Sequence, residues 1–366
     1  MSPAPAPEIE RWLALAHDLV VLPTAPLMEH LPAAHVRAFA QARPALTWWA
    51  DEVGNTVVAA GEGPPALVLV AHLDHPAFVV EADGRLAFRG GVREGHAWAG
   101  DPVVLHRAGD PVPTGRGRLA AVEHVGGRLT GARLRVTEGE AVPGGFAMWD
   151  LAPWEVDVGR VTARVCDDLM GAGAILAVLD ELDRKGHDGA AVWGLFTRGE
   201  EIGLLGAFEA IRLGTVASTA AVLSLECSKA LVHAPQGDGV IVRVGDAATI
   251  FHPGITAALW TAAGDVGVAA QRRLMDGGSC EATAFCSAGY RSGGLALPLA
   301  GYHNQSDEGG GIVAESVLVA DYEAEVTLLL AMAARPQALD NAQLPAWVAD
   351  GRRRAATTMA AAEPIA

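Results

Sequence analysis

The chain has 366 residues, 51% of them hydrophobic and 19% charged, and a formal net charge of −16 at pH 7. Such an excess of carboxylates repels nucleic acid and anionic membranes, so neither is an expected partner. The length predicts one large domain with an insertion, or two domains. The four cysteines, Cys166, Cys227, Cys280 and Cys286, form no CxxC pair and read as reduced thiols of a cytoplasmic protein. The opening "MSPAPAPEIERW" lacks the basic-then-apolar pattern of a signal peptide, and no uncharged apolar run approaches the ~18 residues of a spanning helix. A soluble, cytoplasmic protein is expected.

Taken in chain order, "MSPAPAPE" is a biased start expected to fray. "PALVLVAHLD" (65–74) is a continuous apolar, β-branched run, the mark of a strand buried on both faces. From about Gly84 to Gly145, short β-rich runs are broken by Gly, Pro and Asp turn signals with no helical period, which predicts a small all-β module. "DDLMGAGAILAVLDELDRK" (167–185) then sets Leu169, Ala172, Leu176, Leu179 and Leu182 at helical spacing. A strand "AAVWGLF", a helix from Gly203, a strand "TAAVLSLEC" (219–227) and further alternation lead to a final helix near Ala314–Ala334. "AATTMAAAEPIA" is again biased and expected to fray. The fold class that follows is α/β, a mostly parallel central sheet flanked by helices with an inserted small all-β domain. Residues 1–83 and 151–346 would form the main domain, 84–150 the insertion and 347–366 a C-terminal tail.

The chemistry gathers at strand ends. "AHLDH" offers His72 and Asp74, "CDDLMGAG" Asp167 and Asp168, "FTRGEEIGLLGA" Glu200 and Glu201, "LSLECSK" Glu226, and "LAGYHN" His303. Adjacent carboxylates at the end of a buried strand repel one another and cost several kcal/mol unless cations hold them. In open α/β sheets sites form at the carboxyl ends of strands. A donor set of imidazole and carboxylate without cysteine suits Zn²⁺, with Co²⁺ or Mn²⁺ as alternatives. Singly these residues have blander readings: a Glu pair complements a helix dipole, and a lone His is commonly a satisfied core residue. Five positions in one order make a metal site the better account.

Other residues read as structural. His75 is a wall residue beside Asp74; His96, His106 and His124 are surface or turn residues; Trp48, Trp49 and Trp260 are core; Cys166 and Cys227 are buried packing. Cys280 follows two glycines in a loop expected near substrate, and "GGG" at 309–311 lacks the Lys-Ser/Thr of a phosphate loop.

From "DEVGNTVV" at Asp51 to the helix ending near Ala334, through "AHLDH", "CDDLMGAGAILAVLDEL", "RGEEIGLLGA", "LECSK", "QGDGVIVRVGD" and "LAGYHN", the chain resembles the dinuclear zinc metalloaminopeptidases, in particular the tetrahedral-aminopeptidase branch that includes glutamyl and deblocking aminopeptidases. That branch also carries its extra domain between the first histidine and the bridging aspartate. The resemblance implies a zinc-exopeptidase-like fold and two divalent ions per subunit. His72, Asp167 and Glu226 would hold one ion, and Asp167, Glu201 and His303 the other. Glu200 would be the general base for a water shared by the ions, Asp74 would orient His72, and the Asp167–Asp168 peptide would be cis. It also implies peptide substrates, a homo-oligomer, and an insertion that serves assembly and access. No organic cofactor is implied. The chain departs from the pattern in Glu226 for the usual aspartate, Leu169 for the usual arginine, and Gly277-Gly278-Ser279-Cys280-Glu281 for a Gly-Gly-Thr-Asp segment. The expected function is a metal-dependent aminopeptidase. The alternatives are a metal-dependent amidohydrolase or deacylase acting on an N-acyl amino acid or small amide, and a catalytically inactive binding or assembly module.

Overall fold

A computed structural model describes residues 7–339 and 346–360. Helices α1 (Pro7–Val20) and α2 (His30–Gln41) lead into strands β1 (Leu46–Ala50), β2 (Thr56–Ala60) and β3 (Leu67–His72). Six strands follow: β4 (Ala77–Val80), β5 (Arg85–Arg89), β6 (Pro102–His106), β7 (Gly115–Val125), β8 (Arg128–Gly139) and β9 (Phe146–Trp149). After β10 (Glu155–Asp157) and β11 (Arg160–Ala163) the chain alternates through α3 (Leu169–Lys185), β12 (Val192–Thr197), α4 (Leu205–Leu213), β13 (Ala221–Ser224), β14 (Cys227–Lys229), β15 (Val240–Asp246), α5 (Pro253–Val266), β16 (Ala270–Met275), α6 (Glu281–Ser287) and β17 (Arg291–Leu299). It closes with β18 (Glu315–Leu318), α7 (Val319–Ala334) and α8 (Ala346–Ala360).

The large sheet runs β1-β2-β12-β3-β13-β17-β15-β16, with β14 beside β17. Its four central neighbours β12, β3, β13 and β17 are mutually parallel. Helices cover both faces, which is why every residue of β3 is buried. Close helix packing sets one boundary of the core: a Cβ at Gly173 of α3 would stand 2.7 Å from the Cα and Cβ of Ala16 on α1. The second layer is a closed barrel, β4-β5-β8-β7-β6-β9, filled by Phe78, Leu86, Leu105 and Trp149. A separate three-stranded sheet joins β10, β11 and β18. Among the described residues no helix is long and apolar enough to cross a membrane.

The mixed α/β fold with an inserted β barrel is as expected, but several local expectations are corrected. The barrel takes its first strand at Ala77, ahead of Gly84, because "AFVV" pairs with both β5 and β9 and closes the barrel. The helix expected near Ala314–Ala334 begins at Val319, since "ESVL" is drawn into β18 by pairing with β11, and it is not the final one, because α8 follows at Ala346–Ala360. Pro7 and Glu8 are helical, with Glu8 and Glu10 in the favourable first turn; residues 1–6 lie outside the described residues. Residues 355–360 belong to α8, and 361–366 lie outside the described residues. Trp260 is exposed, and Trp48 and Trp49 are half-buried. His106 is buried and stacks on Phe146, its ring apolar enough to pack inside although the sequence pattern predicts a surface position.

One buried charge has a consequence for stability. Glu325 of α7 is fully buried, and neither carboxylate oxygen has a hydrogen-bond partner among the described residues. Burial, and then the charge of Asp321, push its pKa from 4.5 up to about 8. The folded state therefore binds a proton that the unfolded state releases, so Glu325 lowers stability as pH rises from about 4.5 through about 8. Replacing Glu325 by Gln removes this term. Thermal unfolding followed from pH 6 to 9 should show a shallower decline for Glu325→Gln than for the wild type, the two converging towards acid pH.

Candidate metal centre

The four parallel central strands end on one side of the sheet. β3 delivers His72 and then Asp74; β12 leads through Gly199 into a short 3₁₀ turn, Glu200–Ile202. Glu226 lies between β13 and β14, and His303 in a 3₁₀ turn, Tyr302–Asn304, after β17. Asp167 arrives from the loop before α3, and the Asp167–Asp168 peptide is cis, as the resemblance implies.

The two imidazoles are set alike. His72 donates from Nδ1 to the carbonyl of Asp74 (3.1 Å), and His303 from Nδ1 to the carbonyl of Gly91 (2.9 Å). With Nδ1 donating, each Nε2 faces Asp167: His72 Nε2 lies 3.6 Å from Oδ1, His303 Nε2 3.6 Å from Oδ2. His303 Nε2 is also 3.2 Å from Glu201 Oε1, and His72 Nε2 3.9 Å from Glu200 Oε2. Ligands on one tetrahedral zinc, with bonds of about 2.0–2.2 Å, stand about 3.3–3.6 Å apart. His72, Asp167 and Glu201 also present ligand atoms all within 4.8 Å of one another. Asp167 Oδ1, Glu201 Oε1 and Glu226 Oε1 are buried with no hydrogen-bond partner among the described residues. Orphaned carboxylate oxygens beside two imidazole lone pairs fit divalent cations.

The electrostatics agree. Burial disfavours charge on His72 and His303, yet the surrounding carboxylates, Asp167 with Glu200 at one and Glu201 with Asp167 at the other, raise both well above the ordinary histidine range. Burial would raise Asp167, but the two histidines hold it below the ordinary carboxylate range. Burial and neighbouring carboxylates push Glu200 and Glu226 well up. A second close set, Asp167, Asp168 and Cys227, is a poorer cation site, because Cys227 Sγ donates to the carbonyl of Cys166 (3.4 Å) and burial pushes its thiol up.

The turn that bears Glu200 and Glu201 is fixed through its backbone. Four successive N–H groups donate to buried side chains: Arg198 to Asn55 Oδ1 (3.2 Å), Gly199 to Glu29 Oε1 (3.0 Å), and Glu200 and Glu201 to the two oxygens of Asp74 (3.0 and 3.1 Å). Glu29 also pairs with Arg198 Nε (2.8 Å). Gly206 admits this packing, since a Cβ there would lie 2.6 Å from Arg198 N and Asn55 Oδ1. Asp74 therefore acts differently from expectation. Its backbone carbonyl orients His72, whereas its carboxylate, 3.7 Å from Nδ1, holds the glutamate turn.

Of the other singled-out residues, His75 is buried, donating from Nδ1 to the carbonyl of Asp167 (2.8 Å), with Nε2 3.0 Å from Asn304 Oδ1. Cys280 is fully buried in a cluster with Phe251 and Ala282. Glu281, also fully buried, accepts from Thr197 Oγ1 (2.5 Å) and Ser224 Oγ (3.2 Å), tying the ends of β12 and β13 across β3. His96 and His124 are half-buried barrel residues. Glu29, Asn55 and Glu315 escape a reading of the sequence alone. Asn55 stands within "DEVGNTVV", and Glu315 is a lone acid in the strand-like "AESVLV"; Glu29 carries no local signal.

The family model for M42 glutamyl aminopeptidases matches residues 135–308, a span that holds Asp167, Glu200, Glu201, Glu226 and His303. Over that span, just under half of the chain, the protein is similar to the M42 glutamyl aminopeptidases. That likeness supports an enzyme, a metallo-aminopeptidase. Among solved structures it is similar to the TET aminopeptidase of a marine sediment archaeon of the Thaumarchaeota, with TM-score 0.76 and 18% identity over 91% of this chain and 100% of that one. The aminopeptidase of Desulfurococcus kamchatkensis gives 0.74 and 20% over 92% and 99%. The TET1 peptidase of Pyrococcus horikoshii, which can assemble into a tetrahedron or a large octahedral shell, gives 0.72 and 19% over 88% and 99%. At these identities the likeness is one of fold. No curated protein sequence matches the chain.

Asp74→Asn leaves one acceptor for two backbone donors and keeps the carbonyl that orients His72. Turnover should fall by about 10–100-fold, while metal content measured by elemental analysis stays at the wild-type value.

Proposed function

We propose that the protein removes N-terminal residues from peptides with two divalent cations, His72, Asp167 and Glu226 holding one and Asp167, Glu201 and His303 the other. The observation that carries this is the convergence of three orphaned carboxylate oxygens, on Asp167, Glu201 and Glu226, with two histidines whose Nε2 atoms face the two oxygens of Asp167. Zinc suits the nitrogen and oxygen donor set best, with cobalt or manganese as alternatives. When bound, the cations supply Lewis-acid polarisation of the substrate carbonyl and acidification of water.

The side chains divide the remaining work. Glu200, beside His72 and slightly open at 10% side-chain exposure, is not among the proposed ligands and acts as the general base. Burial and the charges of Glu226, Glu201 and Glu281 raise its proton affinity. It can therefore take a proton from water and hold it until the leaving amine accepts it. Asp74 holds the backbone of Glu200 and Glu201 together, so that base and ligand keep a fixed spacing. The sheet's likeness to self-assembling TET peptidases, and the barrel placed between His72 and Asp167, support a homo-oligomer in which the barrel forms contacts and limits access to small peptides. Four free cysteines suit a cytoplasmic setting for this enzyme.

Glu200→Gln should lose about 10²–10⁴-fold in turnover with metal content intact, whereas Glu201→Gln and Asp167→Asn should lose metal as well. Aminoacyl-anilides and N-acyl amino acids, each assayed with added Zn²⁺, Co²⁺ or Mn²⁺, check the substrate class; cleavage of only the N-acyl series would replace the aminopeptidase assignment. Sedimentation at micromolar concentration should give a mass well above the 37.8 kDa of one chain.

A further inference from the structure

We infer that Glu315 is a positioning residue for the metal site served by His303, acting by holding the backbone of two ligands at once. Glu315 is fully buried on β18. Its Oε2 accepts from the backbone N–H of Cys166 (2.7 Å) and of Asp167 (3.0 Å), and its Oε1 from that of His303 (2.8 Å). The two ligand segments lie far apart in sequence, and this carboxylate accepts from the backbone N–H groups of both.

The placement follows from the strand register. Glu315 pairs with Ala163 of β11, so β18 runs beside the strand that leads into Cys166 and Asp167. From the same strand, Ser316 bridges to Ala300, where the chain turns towards His303. Glu315 therefore stands where both loops depart. Both loops also need holding: His303 and Asn304 adopt left-handed backbone (φ 54 and 59), a conformation that persists only where the surroundings impose it. The N–H of His303 is pinned by Glu315, its Nδ1 by Gly91 and the Asn304 amide by the carbonyl of Arg164 (2.9 Å).

Three donors on two oxygens make the carboxylate irreplaceable by its own amide. In Glu315→Gln one terminal atom becomes an NH₂ that faces a backbone N–H, so either the Asp167 side or the His303 side loses its acceptor. The site of Asp167, Glu201 and His303 depends on both contacts and suffers most, whereas the site of His72, Asp167 and Glu226 depends only on the one at Asp167 and suffers less. A carboxylate that served only general stability would not discriminate between them.

The assignment depends on the two-metal centre proposed for this protein, and titration of Co²⁺ into chelator-stripped full-length protein separates the two. The wild type should bind two equivalents. Glu315→Gln should bind one equivalent with wild-type affinity, within about threefold, and the second about 10–100-fold more weakly. Glu281→Gln, whose carboxylate holds only hydroxyl groups, should not weaken one equivalent selectively. Two equivalents at wild-type affinity in Glu315→Gln would overturn the role of Glu315 and leave the centre standing. Fewer than two in the wild type would overturn the centre itself and this role with it. If Glu315→Gln does not fold, amide exchange on the metal-free wild type decides: slow exchange at Asp167 and His303 is expected, and fast exchange at both would overturn the clamp.

Discussion

Too many carboxylates meet at the end of one sheet, and the rest of the structure is organised around that excess. Asp74, Asp167, Asp168, Glu226, Glu281 and Glu315 are all buried there, against two facing histidines, His72 and His303. Buried charge of one sign is tolerated only where something neutralises or solvates it. The site does so in two ways. One set of oxygens, on Asp167, Asp168, Glu201 and Glu226, is left without a hydrogen-bond partner among the described residues. The other set is consumed by the protein's own N–H and O–H groups.

That second set explains why the ligand loops can be short and irregular without being loose. Asp74 takes the N–H groups of Glu200 and Glu201, Glu29 takes that of Gly199, and Glu315 takes those of Cys166, Asp167 and His303. A loop at a strand end ordinarily satisfies such donors with water. Here buried carboxylates satisfy them, which fixes the spacing of these loops relative to one another. Charge-assisted hydrogen bonds of this kind are among the stronger ones available to a backbone. Metal ligation and backbone ligation are thus two uses of one residue type, separated by which atoms each carboxylate can reach.

The sequence discloses the first use far better than the second. β3 and β12 are legible because they are apolar on both faces, and a His, Asp or Glu that ends such a run has few bland explanations. The order His72, Asp167, Glu200–Glu201, Glu226, His303 is therefore legible from the residues alone. Asp74 is visible as a member of the site, but its partner is not: an extended His-x-Asp spacing suggests a side-chain contact, while the backbone turns so that the carbonyl reaches His72 first. Glu29 and Glu315 act on donors that are distant in sequence, so no local pattern marks them. His106 and Trp260 show the same limit for packing. A histidine in a β-rich run can be covered by a barrel, as His106 is by Phe146, and a tryptophan on a helix can face solvent.

The barrel is more closely joined to the site than its position as an insertion suggests. Gly91, in the loop after β5, accepts the Nδ1–H of His303, and a Cβ at Gly91 would come within 3.3 Å of that nitrogen. Gln305 accepts the N–H of Arg93 through Oε1 (2.9 Å), and Arg89 donates to the carbonyl of Pro26 (2.9 Å), close to Glu29. The inserted module orients the ring of His303: with Nδ1 committed to Gly91, Nε2 faces Asp167 and Glu201. A barrel that had served only as an added surface could move relative to the sheet without consequence. This one cannot, because displacing it releases the His303 ring from the carbonyl of Gly91. Its closure, built on β4 at Ala77 only a few residues beyond His72, thereby becomes part of the chemistry of the centre.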